Sequence, residues 1–125
     1  MDCPQCNVEM NDLADGEMTV RRCGQCGGVW IDVADLNRLL LHRNMPALQS
    51  LGGRMNVEAA SGQCPDCQVD LVAIEGGERR SLSYETCESC GGIFIEKASD
   101  TDDAHQVFDG IIDFYKRFQR KGAVA

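Results

Sequence analysis

The apolar positions of this chain fall into two short runs of strand-like alternation, each followed by a helical period. Val8 and Met10 lie two apart, as do Met18 and Val20, and Ala14-Asp15-Gly16 between them carries turn chemistry. That pattern predicts a hairpin with one buried face. The same arrangement returns later: Val69, Leu71 and Ala73 share one face, Leu82 and Tyr84 another, and Glu75-Gly76-Gly77 supplies the turn. Val29-Trp30-Ile31 and Ile93-Phe94-Ile95 read as apolar third strands. After the first of these the period lengthens. Asp32 can cap a helix, Asp35 can complete a box-like start, Leu36, Leu39 and Leu40 form a narrow stripe, and Pro46 ends the run. After the second, Ser99 or Asp100 can cap a longer amphipathic helix over 99–122. Its stripe is Val107, Phe108, Ile111, Ile112, Tyr115 and Phe118, and Gly122 is the expected stop. Asp100, Asp102 and Asp103 near its start, and Lys116, Arg117, Arg120 and Lys121 near its end, match the helix macrodipole.

The fold class expected from this pattern is a small α+β protein built twice over: residues 1–46 as one unit, 47–63 as a connector, 64–98 as a second unit and 99–122 as the terminal helix. Leu51-Gly52-Gly53 and Ala59-Ala60-Ser61-Gly62 mark the connector. Units of roughly 40 to 60 residues are marginal on an apolar core alone. Something else must hold them, and the cysteines supply it.

All eight cysteines occur as Cys-x-x-Cys pairs in two matched sets. Cys3 and Cys6 are followed after sixteen residues by Cys23 and Cys26, and Cys64 and Cys67 after nineteen by Cys87 and Cys90. Two thiols three residues apart can grip one ion from a tight turn, and two such turns complete a tetrahedron of soft donors. The spacing predicts two four-thiolate metal sites. Gly27-Gly28 and Gly91-Gly92, just after the second knuckle of each set, allow the backbone to turn into the left-handed region. The donor set suits zinc, tetrahedral sulfur suits iron as well, the glycine-rich knuckles point to zinc, and a single such pair could be a redox disulfide. The chain repeats around these residues. Cys3-Pro4-Gln5-Cys6 aligns with Cys64-Pro65-Asp66-Cys67, and Cys23 to Asp32 aligns with Cys87 to Glu96.

The formal net charge is −8 with a pI near 4.6. Each zinc held by four thiolates adds a net charge of −2, taking the loaded chain to about −12. Such a field opposes nucleic acid and anionic membranes, so nucleic-acid binding is possible but disfavoured, and no membrane partner is expected. No apolar run approaches the length needed to span a bilayer, and Met1-Asp2-Cys3-Pro4 has no secretory character. Eight thiols without a secretory signal point to a reducing, cytoplasmic setting.

The quoted segments resemble the bacterial zinc-ribbon proteins grouped as transcription-factor zinc fingers of the TFIIB type. The family pattern is Cys-Pro-x-Cys, a hairpin, Cys-x-x-Cys-Gly-Gly-x-Trp-x-Asp and a short helix near Glu-Leu. The first copy follows it through Trp30 and Asp32 to Asp35-Leu36; the second carries Phe94 and Glu96 in place of the tryptophan and aspartate. The resemblance implies two tandem zinc ribbons, each followed by a helix, and two zinc ions per chain on Cys3, Cys6, Cys23, Cys26, Cys64, Cys67, Cys87 and Cys90. It also makes the transcription machinery a reasonable class of partner.

No catalytic residue is expected. The carboxylates show no acid/base pairing, and no Ser/His/Asp set, P-loop or dinucleotide fingerprint is present. His42 and His105 lack the spacing of ligands and are expected at the surface or an interface. Trp30 can pack over a small core or stack on a partner. Arg21, Arg22, Arg79 and Arg80 precede the second knuckles, where they can offset anionic metal sites or bind phosphate. A single small ribbon has little face on which to bury the terminal helix. Phe108, Ile111, Ile112, Phe114, Tyr115 and Phe118 are therefore candidates for a protein partner or for self-association, with packing on the chain's own ribbons as the alternative. The expected function is a non-enzymatic zinc-binding protein-interaction module; nucleic-acid binding and a redox-sensitive zinc thiolate are the alternatives.

Overall fold

The computed structural model describes residues 2–16, 18–56, 62–77, 82–98 and 101–124. Each half contains the expected ribbon. In the first, β1 (Asn11–Asp15), β2 (Met18–Arg22) and β3 (Val29–Asp32) lead into α1 (Val33–His42). A 3-10 turn at Leu48–Ser50 and β4 (Arg54–Asn56) follow. The second half comprises β5 (Val72–Gly76), β6 (Leu82–Thr86), β7 (Gly92–Ile95) and α2 (Ala104–Val124).

The two ribbons share one sheet. Its order is β1-β2-β3-β7-β6-β5-β4, every pair antiparallel, and the seam is the pairing of the two third strands. Val29 faces Ile95, Trp30 faces Phe94 and Ile31 faces Ile93. Val29 and Ile93, Trp30 and Phe94, and Ile31 and Ile95 are counterparts in the repeat, so exchanging the ribbons swaps the Val29–Ile95 pair with the Ile31–Ile93 pair and maps the Trp30–Phe94 pair onto itself. A local pseudo-twofold axis therefore runs through the Trp30–Phe94 pair. β2–β3 and β6–β7 keep the same register, with Arg21 opposite Trp30 and Glu85 opposite Phe94.

Alternation along β3 and β7 sends side chains to two different cores. Val29, Ile31, Ile93 and Ile95 enter a cluster with Val20, Tyr84, the α1 stripe and α2. Trp30 and Phe94 enter a second cluster made of buried cysteines, Met10 and Leu71. Helices, sheet and metal knuckles thus form three layers, and the central strands read as unbroken apolar runs because both their faces are covered.

Edge-to-edge fusion supplies the face that one ribbon lacks. Phe108, Ile111, Ile112, Phe114, Tyr115 and Phe118 are all buried against the chain's own sheet, none more than 7% exposed. This is the packing on the chain's own ribbons named as the alternative: the shared sheet is wider than a single ribbon's, and α2 lies on it. Phe114, Tyr115 and Phe118 form an aromatic group with Tyr84, with ring centroids 4.9–5.9 Å apart. Gly76 makes room for α2, since a Cβ there would sit 2.5 Å from the Phe118 ring.

Several boundaries differ from the sequence expectation. β1 begins at Asn11 and keeps Ala14 and Asp15, while Val8 lies outside it and is exposed. β5 likewise keeps Glu75 and Gly76 and leaves Val69 exposed. The knuckle backbone uses Val8 and Val69 for their carbonyls, which accept from the amides of Cys3 and Cys64. The expected connector contributes β4, paired with β5 through Arg54–Glu75, Met55–Ile74 and Asn56–Ala73. α1 stops at His42, before Pro46. Asn44 adopts a left-handed φ of 62°, and the amides of Asn44 and Met45 bond the carbonyls of Leu41 and Leu40, a Schellman termination. Asp32 holds the cap position of α1 without a side-chain capping bond; the Val33 amide instead bonds Gly91 O of the other ribbon at 3.1 Å.

The expected caps of α2, Ser99 and Asp100, lie outside the described residues. The helix starts at Ala104, where Asp103 Oδ1 accepts from the Gln106 amide at 3.2 Å, and it continues past Gly122 to Val124. Asp103→Ala is expected to lower stability by about 1 kcal/mol, the usual worth of an N-cap carboxylate. Urea unfolding of the zinc-loaded protein checks this, with the midpoint moving at constant slope.

Burial pushes the Tyr84 hydroxyl up to about 12 and raises Tyr115 well above the usual range. The Tyr115 hydroxyl is buried and has no hydrogen-bond partner among the described residues. Tyr115→Phe is expected to be neutral or mildly stabilising near pH 7, since it removes a desolvated donor without orphaning another group. Above pH 10 the unfolded tyrosines ionise before the folded ones, so stability falls as pH rises. The phenylalanine variant loses one of those ionisations, so its stability should decline less steeply. Thermal melts at pH 8 and above pH 10 check both statements.

Candidate metal centre

Four knuckles share one backbone pattern. The amide of the first cysteine donates to the carbonyl five residues on, and the amide four residues on donates back to the first cysteine's carbonyl. The pairs Cys3–Val8, Cys23–Gly28, Cys64–Val69 and Cys87–Gly92 close the outer bond at 2.8–2.9 Å. The residue after each second cysteine is left-handed: Asn7, Gly27, Gln68 and Gly91, at φ 58°, 75°, 60° and 78°. The first glycine of each Gly-Gly pair fulfils the conformational expectation, and the second gives room to an aromatic ring of the other ribbon. Amides also point at the sulfurs, with Gln5 N to Cys3 Sγ at 3.4 Å, Gly28 N to Cys26 Sγ at 3.4 Å and Cys67 N to Cys64 Sγ at 3.3 Å.

These turns gather the thiols as the spacing predicts. The sulfurs of Cys3, Cys6, Cys23 and Cys26 lie within 4.8 Å of one another, as do those of Cys64, Cys67, Cys87 and Cys90. Cys3 to Cys26 and Cys64 to Cys90 are both 3.7 Å apart. A tetrahedron with zinc–sulfur bonds of about 2.3 Å has edges of about 3.8 Å, so the sulfur separations fit zinc. A disulfide needs about 2.05 Å, and all eight cysteines are free thiols.

The thiol environments within each cluster are unequal. Burial pushes Cys3 up to about 12, whereas Cys23, although burial opposes its ionisation, is brought down to about 7 by the amides of Cys26 and Gln25. In the second site the Cys90 thiol and burial push Cys67 up to about 12, while the Cys90 and Ser89 amides bring Cys87 down to about 7. Four crowded sulfurs become thiolates together only around a cation, so loading releases protons. A zinc ion with four sulfur ligands keeps no open position and serves structure.

Trp30 is 4% exposed and belongs to the cluster between the metal sites, which settles the packing reading over the stacking one. Sequence reasoning missed what it packs on. A Cβ on Gly92 would lie 2.0 Å from the Trp30 ring, and a Cβ on Gly28 would lie 2.3 Å from the Phe94 ring. Each aromatic rests on the second glycine of the opposite ribbon's knuckle. The signal was present as Gly-Gly-Val-Trp and Gly-Gly-Ile-Phe, but only the seam shows that the contacts cross over.

The arginines are engaged. Arg21 Nε pairs with Asp12 at 3.1 Å across β1 and β2, and Arg22, 8% exposed, donates to Asp102 Oδ1 at 2.8 Å. Arg79 and Arg80 lie outside the described residues; in strand register the counterparts of Arg21 and Arg22 are Glu85 and Thr86. His42 and His105 are exposed, the latter 3.8 Å from Asp109. Among the described residues no helix is long and apolar enough to cross a membrane.

Residues 2–42 match the family described as transcription factor zinc-finger, and the four-cysteine cluster over 64–90 is consistent with a tandem copy of the same ribbon. Comparisons with curated proteins and with solved structures gave no match.

Proposed function

We propose that this tandem zinc ribbon, whose first copy matches the transcription factor zinc-finger family, is a non-enzymatic module that offers a rigid surface to a protein of the transcription machinery. The observation that carries the reading is the closure of both metal sites: four sulfurs within 4.8 Å leave no coordination position for a substrate or water. Rigidity follows from the shared sheet, whose strands β3 and β7 are covered by the helices on one face and by the knuckle cluster on the other. With α2 buried, the partner meets the knuckle side or the sheet edges.

Direct nucleic-acid binding is the weaker reading. The net charge is −8 before metal is counted, and Arg21 and Arg22 already face Asp12 and Asp102. The test sets zinc-loaded protein against purified RNA polymerase and, separately, against duplex and single-stranded probes at low salt. Saturable binding to polymerase with no probe shift is the expected result. A salt-sensitive shift of either probe without polymerase binding overturns the proposal in favour of phosphate recognition.

A redox-sensitive thiolate is favoured by one observation: Cys90 is the exposed ligand of the second site, while its counterpart Cys26 is partly covered. Zinc retained under mild hydroperoxide removes that reading; early loss from the second site sustains it.

A further inference from the structure

We propose that the two zinc sites load cooperatively, with Trp30 and Phe94 carrying the coupling across the pseudo-twofold seam.

The second knuckle of the first site passes directly into β3 and that of the second into β7, and these strands pair with each other. Folding one knuckle therefore sets the register that the other must adopt. The crossed contacts sharpen this dependence. Gly28 donates its amide to Cys26 Sγ at 3.4 Å and carries the Phe94 ring on its open face. Gly92, its counterpart, also bonds the sulfur of its own site through its amide and carries the Trp30 ring. A ring from each ribbon thus presses on a backbone unit that bonds a metal-binding sulfur of the other. No side chain larger than hydrogen fits either position.

Two further contacts tie the lobes together. Gln5, inside the first knuckle, donates to Glu85 Oε1 on β6 at 3.1 Å. Gly62, next to the second site's first knuckle, approaches so closely that a Cβ there would stand 2.6 Å from Pro4 O. The buried cysteines of both sites belong to one apolar cluster with Trp30 and Phe94 between them. A site that is not gathered leaves its aromatic without its glycine seat, so the second ion binds to a lobe already ordered by the first. Because such coupling is reciprocal, loading either site raises the affinity of the other, by roughly 5- to 150-fold for typical coupling energies.

The test is native mass spectrometry of reduced, metal-free full-length protein titrated with zinc. Two independent, equal sites would leave about half of the molecules singly loaded at half-saturation, and unequal independent sites would leave more. The expected result is a singly loaded fraction well below half, with apo and doubly loaded species dominating. A fraction of half or above overturns the proposal, whereas fewer than two zinc ions at saturation counts against the zinc sites themselves. Trp30→Phe, which copies the ring found in the second ribbon, assigns the coupling. It should still bind two zinc ions with unchanged circular dichroism but show a raised singly loaded fraction. A wild-type distribution in that variant overturns the role of Trp30. Emission from Trp30, the chain's only tryptophan, gives an independent readout and should track the doubly loaded species.

Discussion

Replacing Cys87 with serine is expected to unfold the entire chain. A ribbon standing alone would lose only itself, and the sequence, read as two small units, suggests that outcome. The seam predicts otherwise. Cys87 opens the knuckle that delivers β7, and β7 lies between β3 and β6 at the centre of the sheet. A structural zinc contributes on the order of 10 kcal/mol to folding, while a domain of this size has a net stability of about 5–15 kcal/mol. Removing one thiolate therefore cancels most of what holds β7, and without β7 the first ribbon loses the partner of β3 and the rest of the floor under α2. Hydrogen exchange resolved by peptide is the decisive measurement. Amides of β2 and β3, in the half that keeps its four cysteines, should lose protection together with those of β6 and β7. Full protection retained at Val20 and Ile31 would show that the ribbons fold independently. Chelation of wild-type zinc should produce the same global loss, seen as collapse of the far-ultraviolet circular dichroism.

The metal ligands were legible because their chemistry is local: two thiols three apart, twice per site, leave few other readings. The third strands were legible for a similar reason, since short apolar runs followed by a change of period mark them. The seam was not, because an unbroken apolar strand such as Val29-Trp30-Ile31 indicates cover on both faces without naming the cover. The destination of α2 followed from that gap. Its apolar stripe was evident, but whether it needed a partner depended on the width of a sheet that only the pairing of β3 with β7 creates. Hairpin boundaries slipped because the stretch after each first knuckle bends back on its own cysteine, so Val8 and Val69 contribute carbonyls where alternation suggested buried side chains. Asn44 could have been read as the stop of α1, since asparagine tolerates the left-handed region, yet Pro46 two residues on gave a louder signal.

Phe118→Ala is expected to destabilise the zinc-loaded protein by about 3–5 kcal/mol, the usual cost of truncating a buried phenylalanine. Phe118 is 2% exposed and sits against Gly76, with Gly53 close by and the rings of Tyr84, Phe114 and Tyr115 around it. Its carbonyl also accepts from the Gly77 amide at 2.9 Å, which locks the helix to the end of β5. The site is lined by glycines on the sheet side, so neighbouring side chains have little reach with which to refill the space, and the cavity should persist. Lys116, exposed on the opposite side of the same turn of α2, is the control: Lys116→Ala should change stability by no more than about 0.5 kcal/mol. Urea unfolding with zinc in excess separates the two cases. An apolar stripe that waits for a partner would leave the free protein indifferent to Phe118→Ala. A large drop confined to the Phe118 variant would place α2 in the core of the single chain and move the search for a partner to the knuckle side and the sheet edges.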